Sequence, residues 1–310
     1  MQYHRGGHET WVAPLPLGVW PPVVTAIAVN TDSRNLDSLR ARARVKRAFE
    51  WLRHQGVGSM YKKIDSTLRG NLREEIEELL ALGDWDLALV APAFPQAGRT
   101  TVAGYQLVDG VPVSLTPYGE EAGAPVTESH LPTLLGGSLI PFPVVAKGWA
   151  AIAGQLAASG GKIVVVDAAR KADLVAVAEA IRHSPQRILP VGSAGLASAL
   201  QTQWLVRPGR GVSLAKHRPV LVINGSVNPV SLEQIDRLDC RVLQLDVQRV
   251  LLADFDPEEV ARRVLQQIFA GQDVAITTAR SPSQVAKALE LGRELGMDAL
   301  GVGNQLCEAL

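Results

Sequence analysis

The sequence is poor in the features that would mark a secreted, membrane-embedded or nucleic-acid-binding protein. Its 310 residues include only two cysteines, Cys240 and Cys307, which are too few for a disulfide framework or a zinc site and are typical of the reducing cytoplasm. The 31 basic and 31 acidic residues cancel, so no excess positive charge is available for nucleic acid or an anionic membrane. No uncharged apolar run reaches the roughly 20 residues of a membrane span. We therefore expect a cytoplasmic protein with no nucleic-acid or membrane partner.

Familiar motifs of enzyme active sites are absent too. The sequence contains no GxxxxGK[ST] phosphate loop, no GxGxxG dinucleotide fingerprint and no GxSxG nucleophile elbow. Only His4 and His8 are spaced like metal ligands, and on a polar terminus we expect them to be solvated. The residues alone therefore predict no metal site and assign no catalytic residue.

Short runs of β-branched residues alternate with amphipathic patterns along the whole chain. Strands are predicted at 23–30, 59–65, 86–92, 162–167, 188–191, 220–224, 241–246 and 273–278. Helices are predicted at 36–54, 71–82, 148–159, 174–183 and 195–204, and two more begin after the cap residues Asp256 and Ser281. This alternation indicates an α/β fold whose mostly parallel sheets are flanked by helices.

The length favours two domains, and the stretch 203–219 separates them. This stretch is basic, is punctuated by glycine and proline, and has neither a helical nor a strand period. We predict a first domain at 1–205, a linker at 206–218 and a second domain at 219–310. A further irregular region, 104–143, is long for a simple connection, and long ordered loops are often functional.

Polar side chains crowd the ends of two predicted strands in the first domain. The segment 62–71 (KKIDSTLRGN) places Lys63, Asp65, Ser66, Thr67 and Arg69 after one strand, and 30–34 (NTDSR) places Asp32, Ser33 and Arg34 after another. Ligands of open α/β sheets bind beyond the carboxyl ends of strands, and arginine can hold a carboxylate through two hydrogen bonds. The alternatives are a turn closed by an Asp–Arg pair and a helix capped by Asp32 or Ser33. Asn71 is predicted to cap the next helix.

Three further turns follow predicted strands. The segment 92–105 (PAFPQAGRTTVAGY), with Arg99, is either a loop over a cleft or an ordinary surface loop. The segment 191–196 (VGSAGL) either presents backbone amides to an anion or lets a strand and a helix pack closely. The segment 223–231 (INGSVNPVS) opens the second domain, and its Gly225 and Ser226 form a candidate phosphate-binding turn.

These segments belong to a longer ordered series. It runs TDSR (31–34), KIDSTLRGN (63–71), PAFPQAGRTT (92–101), GYQLVDGVPV (104–113), PVTESHLP (125–132), VDAAR (166–170), GSAGLA (192–197) and GSVNPVS (225–231). In this order the series resembles the four-carbon acid sugar kinases. The resemblance implies an N-terminal sugar-acid-binding domain and a C-terminal nucleotide-binding domain, both α/β. It also implies that ATP, with Mg²⁺, phosphorylates a hydroxyl of a small sugar acid such as threonate, erythronate or a 2-oxo relative.

The resemblance assigns candidate residues to both sites. The sugar-acid pocket would include Asp32, Ser33, Arg34, Lys63, Asp65, Ser66, Thr67 and Arg69. Gly225 and Ser226 would contact ATP.

The sequence departs from the family pattern at both ends. An ADDLTGA-type motif, whose aspartate would act as the base, is not found, and neither is a GG[DE]T-type loop that would hold ATP phosphates. We therefore expect a kinase chain truncated at both ends, with both domains incomplete. The alternative hypothesis is an inactive or non-catalytic sugar-acid-binding fragment. A sugar-acid dehydrogenase is disfavoured by the missing GxGxxG motif, and assembly into a homo-oligomer is left open.

Overall fold

The computed structural model describes residues 2–5, 8–14, 24–121, 124–201 and 219–310. The chain divides into two compact units, Met1–Gly211 and Val212–Leu310. The predicted linker, 206–218, lies outside the described residues, so the predicted domain limits stay predictions.

The first unit contains most of the regular structure. Its helices are α1 (Gln2–Arg5), α2 (Ser38–His54), α3 (Leu72–Leu82), α4 (Leu131–Leu135), α5 (Phe142–Val145), α6 (Trp149–Ala158), α7 (Lys171–His183) and α8 (Ala194–Gln201). Its strands are β1 (Thr10–Pro14), β2 (Ala26–Asn30), β3 (Lys62–Lys63), β4 (Leu87–Ala91), β5 (Arg99–Val102), β6 (Tyr105–Val108), β7 (Val111–Pro112), β8 (Ser138–Ile140), β9 (Ile163–Val166) and β10 (Ile188–Gly192).

A five-stranded parallel sheet, in the order β3-β10-β4-β9-β8, forms the centre of this unit. Strands β4 and β9 are buried along their whole length, because helices cover both faces of a parallel sheet. Alternate residues of β4 serve two cores: Leu87 and Leu89 face one, and Ala88 and Val90 face the other. Gly192 pairs with both Ala91 and Lys63, so β3, β4 and β10 end at the same edge.

Two smaller sheets complete the first unit. Strands β1 and β2 pair in parallel, with Thr10 opposite Ala26 and Pro14 opposite Asn30. Strands β5, β6 and β7 form an antiparallel meander, and Arg99 pairs with Val108 in its first hairpin. The meander follows β4, so it lies near the edge at which the central strands end.

The second unit is a three-stranded parallel sheet with helices. Its strands are β11 (Leu221–Asn224), β12 (Arg241–Gln244) and β13 (Val274–Thr277), in the order β11-β13-β12. Its helices are α9 (Pro229–Asp236), α10 (Val247–Leu251), α11 (Pro257–Phe269), α12 (Pro282–Glu294) and α13 (Ala299–Glu308). Helices α12 and α13 touch at Gly292, where an added Cβ would lie 2.1 Å from Cγ2 of Val302.

The predicted α/β class with mostly parallel sheets is confirmed. Each predicted strand and helix is found, with ends moved by a few residues, although 202–204 of the last helix of the first unit lie outside the described residues. The caps at Asp256 and Ser281 are confirmed as well, since each side chain accepts a hydrogen bond from the first turn of its helix. The sequence analysis missed β1, β8 and the antiparallel meander. No helix in the described part of the chain is long and apolar enough to cross a membrane.

Candidate functional site

The two polar turns predicted in the first unit lie against each other. Gly70 has a φ of +98°, and a Cβ added there would lie 3.3 Å from Cα of Arg34. The side-chain amide of Asn71 donates to the backbone oxygens of Ser33, at 3.0 Å, and Leu36, at 2.9 Å. Asn71 is the N-cap residue of α3, as predicted, but its side chain makes no capping hydrogen bond and holds the neighbouring turn instead. Helix α2 is capped by Asp37, so neither Asp32 nor Ser33 serves as its cap.

A buried carboxylate lies beneath these turns. Glu75 of α3 is only 7% exposed, and it accepts hydrogen bonds from Oγ of Ser33, at 2.5 Å, and from Nζ of Lys62. Ser33 is itself buried, and its hydroxyl is also 2.8 Å from Oγ1 of Thr31. The Ser33 side chain thus points into the protein, toward Glu75. The sequence analysis missed Glu75, although helical spacing places it nearest the apolar stripe of α3, three residues after Leu72 and four before Leu79.

Asp65 is the centre of a second polar network. Its Oδ2 accepts from Oγ1 of Thr67, at 2.8 Å, and from Nε of Arg69, at 2.5 Å. Burial would raise the pKa of the Asp65 carboxyl, but hydrogen bonds from Arg69 and Thr67 and the nearby charge of Arg34 outweigh burial, so its pKa lies below the usual value. The Asp–Arg pair of the alternative interpretation is thus present. Nη1 of Arg69 also binds both carboxylate oxygens of Glu121, at 2.8 and 2.9 Å.

Two further cations, Lys63 and Arg34, lie beside Asp65 and differ from Arg69 in their contacts. In the described part of the chain, Lys63 and Arg34 make neither a side-chain hydrogen bond nor an ion pair, and both are exposed. Although much of the Lys63 side chain is exposed, its pKa is lowered, mainly by partial burial of the amine and further by the positive charges of Lys62, Arg34 and Arg69, while Asp65 opposes the shift. We call Arg34, Lys63 and Arg69 the cation cluster. An anion would relieve the mutual repulsion of its members.

The antiparallel meander forms one wall of the site. Gln106 of β6 is fully buried; it donates to the backbone oxygen of Ser66, at 2.7 Å, and accepts from Oγ1 of Thr101, at 2.7 Å. Beyond the meander, the Tyr118 ring lies 5.2 Å from the guanidinium of Arg69, and its hydroxyl accepts a 3.4 Å hydrogen bond from Arg99. The segment 92–105, which carries β5 and the turn into β6, therefore packs against the site.

The remaining predicted residues are placed differently. Asp32 is exposed with a φ of +46°, and its backbone oxygen accepts from Nη1 of Arg44 at 3.0 Å. In the segment 191–196 the structure supports close packing, because a Cβ at Gly192 would lie 2.6 Å from the oxygen of Ala91. His8, predicted to be solvated, is buried, whereas the side chain of His4 lies outside the described residues.

The candidate phosphate turn of the second unit is built from local hydrogen bonds. The amide of Ser226 donates to Oδ1 of Asn224 at 3.2 Å, and the amide of Asn228 donates to Oγ of Ser226 at 3.3 Å. Asn228 in turn caps α9 by accepting from the amide of Val230 at 2.9 Å. Because Oγ of Ser226 serves as an acceptor within the turn, its hydroxyl proton remains available to a ligand at the positive end of α9.

The neighbouring strand supports this turn. The side-chain amide of Asn224 donates to Oγ1 of Thr277, at the end of β13, over 3.1 Å. Gly225 lies against Leu310, since a Cβ at Gly225 would be 3.3 Å from Cδ1 of Leu310. Within the described ranges, no group of three or more His, Cys, Asp or Glu side chains is placed to hold a metal ion. The described residues therefore do not by themselves form a Mg²⁺ site.

Two family models match the chain. One, described as a sugar-binding N-terminal domain, covers residues 1–200, and the other, described as a nucleotide-binding C-terminal domain, covers residues 221–310. The chain belongs to the four-carbon acid sugar kinase family. The predicted family is thereby confirmed.

Similar members of this family are named as kinases of four-carbon sugar acids. A D-threonate kinase from Bordetella bronchiseptica is 41% identical over 243 residues, which cover 76% of this chain and 57% of the relative. A D-erythronate kinase from Heliobacterium modesticaldum is 30% identical over 276 residues, which cover 84% of this chain and 62% of the relative. The chain thus spans about three fifths of the length of these relatives.

Solved structures share the fold. A Salmonella typhimurium protein superposes with a TM-score of 0.80 at 23% identity, covering 99% of this chain and 76% of its own. A Bordetella bronchiseptica protein of the DUF1537 family, crystallised with bound citrate as a domain-swapped dimer, superposes with a TM-score of 0.59 at 30% identity, covering 99% of this chain and 75% of its own.

Proposed function

We propose that this chain binds a four-carbon sugar acid, such as threonate, erythronate or an oxo relative, and takes part in the ATP-dependent phosphorylation of one of its hydroxyls. The observation that carries the proposal is the cation cluster around Asp65, at the carboxyl ends of the sheet strands of a sugar-binding domain. The names of the relatives support the same substrate class.

The charges of the site suit the two ends of such a substrate. Arg34 and Lys63, which lack anionic partners among the described residues, would hold the carboxylate. Asp65, ionised because of its lowered pKa, would accept a hydrogen bond from a sugar hydroxyl, and the half-buried Ser66 hydroxyl would bind another. Thr67 and Arg69 would keep Asp65 in place. Citrate in the Bordetella neighbour, also a hydroxylated carboxylic acid, is consistent with this chemistry.

The second unit would hold the nucleotide. The Ser226 hydroxyl would donate to a phosphate oxygen of ATP, and the backbone at Gly225 would lie close to that phosphate. The positive N-terminal end of α9 would favour the negative charge of the phosphate. Phosphoryl transfer depends on positioning and charge stabilisation and normally uses Mg²⁺ bound with the nucleotide. Since the described residues do not form a metal site, we assign no step to the ion.

A second candidate function is sugar-acid binding without phosphoryl transfer. It is favoured by the state of Asp65, because a carboxylate with a lowered pKa and two hydrogen-bond donors is a weak general base. The dimer of the Bordetella neighbour also leads us to propose self-association of this chain, which light scattering after size-exclusion chromatography would test.

Calorimetry and a turnover assay on the whole chain test these proposals together. We expect D-threonate or D-erythronate to bind, and the double variant Arg34→Ala/Lys63→Ala to lose at least tenfold in affinity. The control is Arg40→Ala, which removes an exposed arginine of the adjacent α2 that is already paired with Asp37 at 3.4 Å. ADP release that falls in Ser226→Ala would support the kinase, whereas binding without ADP release would support the second function. Failure of the chain to bind any four-carbon acid would refute both.

A further inference from the structure

We propose that Glu75, which would touch neither sugar acid nor nucleotide, is the residue that positions the sugar-acid site. Its carboxylate would accept hydrogen bonds from Ser33 and Lys62 and so hold the turn of Ser33 and the strand of Lys62 against helix α3. This inference deepens the proposed function and rests on it for the identity of the ligand.

The contacts of Glu75 join three separate segments of the chain. One carboxylate oxygen accepts from Oγ of Ser33, 42 residues away in sequence, and the other accepts from Nζ of Lys62. The side chains of Lys62 and Glu75 are only 13% and 9% exposed. Helix α3, which carries Glu75, begins directly after the turn of Asp65 and Arg69. All three segments that supply the candidate residues thus meet at one carboxylate.

Burial makes this junction rigid. An ionised carboxylate withdrawn from water is strongly unfavourable unless charged or hydrogen-bonding partners surround it, so Ser33 and Lys62 cannot leave Glu75 without a large penalty. Charge-assisted hydrogen bonds are also shorter and more directional than neutral ones. The carboxylate therefore determines where both partners lie.

Each partner of Glu75 immediately precedes a member of the cation cluster. Arg34 follows Ser33, and Lys63 follows Lys62. Adjacent residues of a strand point to opposite faces, so directing Lys62 inward to Glu75 directs Lys63 outward to the site. Displacing Ser33 or Lys62 would therefore move two cations whose own chemistry is unchanged.

Other glutamates of the same helix provide matched controls. Glu77 pairs with Arg73 at 2.8 Å and with Arg42 at 2.5 Å, and these side chains are 32–50% exposed. Exposed pairs contribute little to stability, and neither arginine belongs to the site. Glu77→Gln therefore removes a carboxylate of the same helix without touching the proposed junction.

The decisive experiment compares Glu75→Gln, the double variant Lys62→Met/Glu75→Leu and the control Glu77→Gln in the whole chain. Calorimetry measures the affinity for D-threonate and D-erythronate, and thermal unfolding measures stability. We expect Glu75→Gln to weaken sugar-acid binding at least tenfold and to lower Tm. The double variant removes both charges of the buried pair, so its Tm should return toward that of the unsubstituted chain. Its affinity should stay low, because Ser33 still lacks its acceptor.

A purely structural role for Glu75 makes the opposite prediction. In that case affinity would follow Tm, and the double variant would recover both; this result would overturn the proposal. Hydrogen exchange of the amides of 31–36 gives a readout that needs no ligand. We expect exchange there to be faster in Glu75→Gln and in the double variant, and unchanged in Glu77→Gln. If the unsubstituted chain binds no sugar acid, the proposed function fails, and unchanged exchange in Glu75→Gln would separately refute the positioning role.

Discussion

The polar turns of the two units are built in different ways. In the first unit, the turn of Asp65 and Arg69 is held by side chains 40–52 residues distant in sequence, through Gln106 to Ser66 and through Glu121 to Arg69. In the second unit, the hydrogen bonds of the Ser226 turn mostly span two residues. A site fixed by distant buried partners is preorganised by the fold, whereas a local turn depends mainly on its own few residues. Substitutions should therefore have larger effects in the first turn.

The largest effect is expected for Arg69→Ala. Removing this guanidinium leaves the mostly buried Asp65 and Glu121 without their cation, which should cost about 2 kcal/mol of unfolding free energy for a site that is partly exposed. Arg73→Ala, which removes a half-exposed arginine paired with Glu77, should have a much smaller effect, because exposed ion pairs contribute little to stability. Urea unfolding measures both, and equal losses would show that the network around Arg69 is not special.

Gln106→Leu is expected to come next. Leucine cannot donate to the oxygen of Ser66 or accept from Thr101, so one buried and one partly buried polar group lose their partner at a cost of about 1.5 kcal/mol. The exposed Gln155 of α6 is the control, and Gln155→Leu should leave stability within about 0.5 kcal/mol. Sugar-acid affinity should fall in the first variant only; unaffected affinity would mean that the meander does not shape the site.

In the second unit, Asn228→Ala should cost about 1 kcal/mol, the usual loss for a helix N-cap. The effect should stay local, with sugar-acid affinity unchanged in calorimetry. A loss of sugar-acid affinity in this variant would contradict the local character of the turn.

A pH dependence should distinguish Lys63 from an ordinary lysine. Since the pKa of Lys63 lies below its usual 10.5, chiefly because of burial, the amine loses its charge earlier as pH rises, and carboxylate binding weakens with it. In Lys63→Arg the guanidinium stays charged, so affinity should change little between pH 7 and pH 10, while that of the unsubstituted chain should fall. Lys46→Arg, on the exposed face of α2, should behave like the unsubstituted chain. Identical pH profiles in all three proteins would remove Lys63 from the site.

The smallest effect on stability is expected for Ser226→Ala. The turn loses one weak hydrogen bond to the amide of Asn228, so unfolding free energy should change by about 0.5 kcal/mol or less. Affinity for ATP should nevertheless fall, since the hydroxyl donor to phosphate is gone. Calorimetry with ATP is the test, and unchanged affinity would exclude Ser226 as a nucleotide contact.

The sequence was most informative where structure is local. Runs such as LALVA and IVVV predicted the central strands β4 and β9, and cap residues such as Asp256 and Ser281 predicted helix starts, because these signals lie within a few residues of the element they define. The polar residues that follow a predicted strand likewise indicated that Lys63 and Arg69 would lie at the end of that strand. The antiparallel meander was missed because glycine- and proline-rich sequence around its short strands has no clear period.

The sequence did not show which residues the polar side chains of the site would choose as hydrogen-bond partners. Asn71 has the chemistry of a cap, yet its amide is used by Ser33 and Leu36, a choice that depends on how two turns pack. Helical spacing places Glu75 beside the apolar stripe of α3, but its pairing with Lys62 and Ser33 depends on how other segments pack against the helix. Tertiary contacts decided both cases, and no local pattern records them.

The contact between Gly225 and Leu310 has a practical consequence for anyone handling the chain. Since Cδ1 of Leu310 would lie 3.3 Å from a Cβ at Gly225, a substitution made to probe Gly225 also disturbs Leu310, so a change in ATP affinity should be assigned to the turn only if the fold of the second unit is intact.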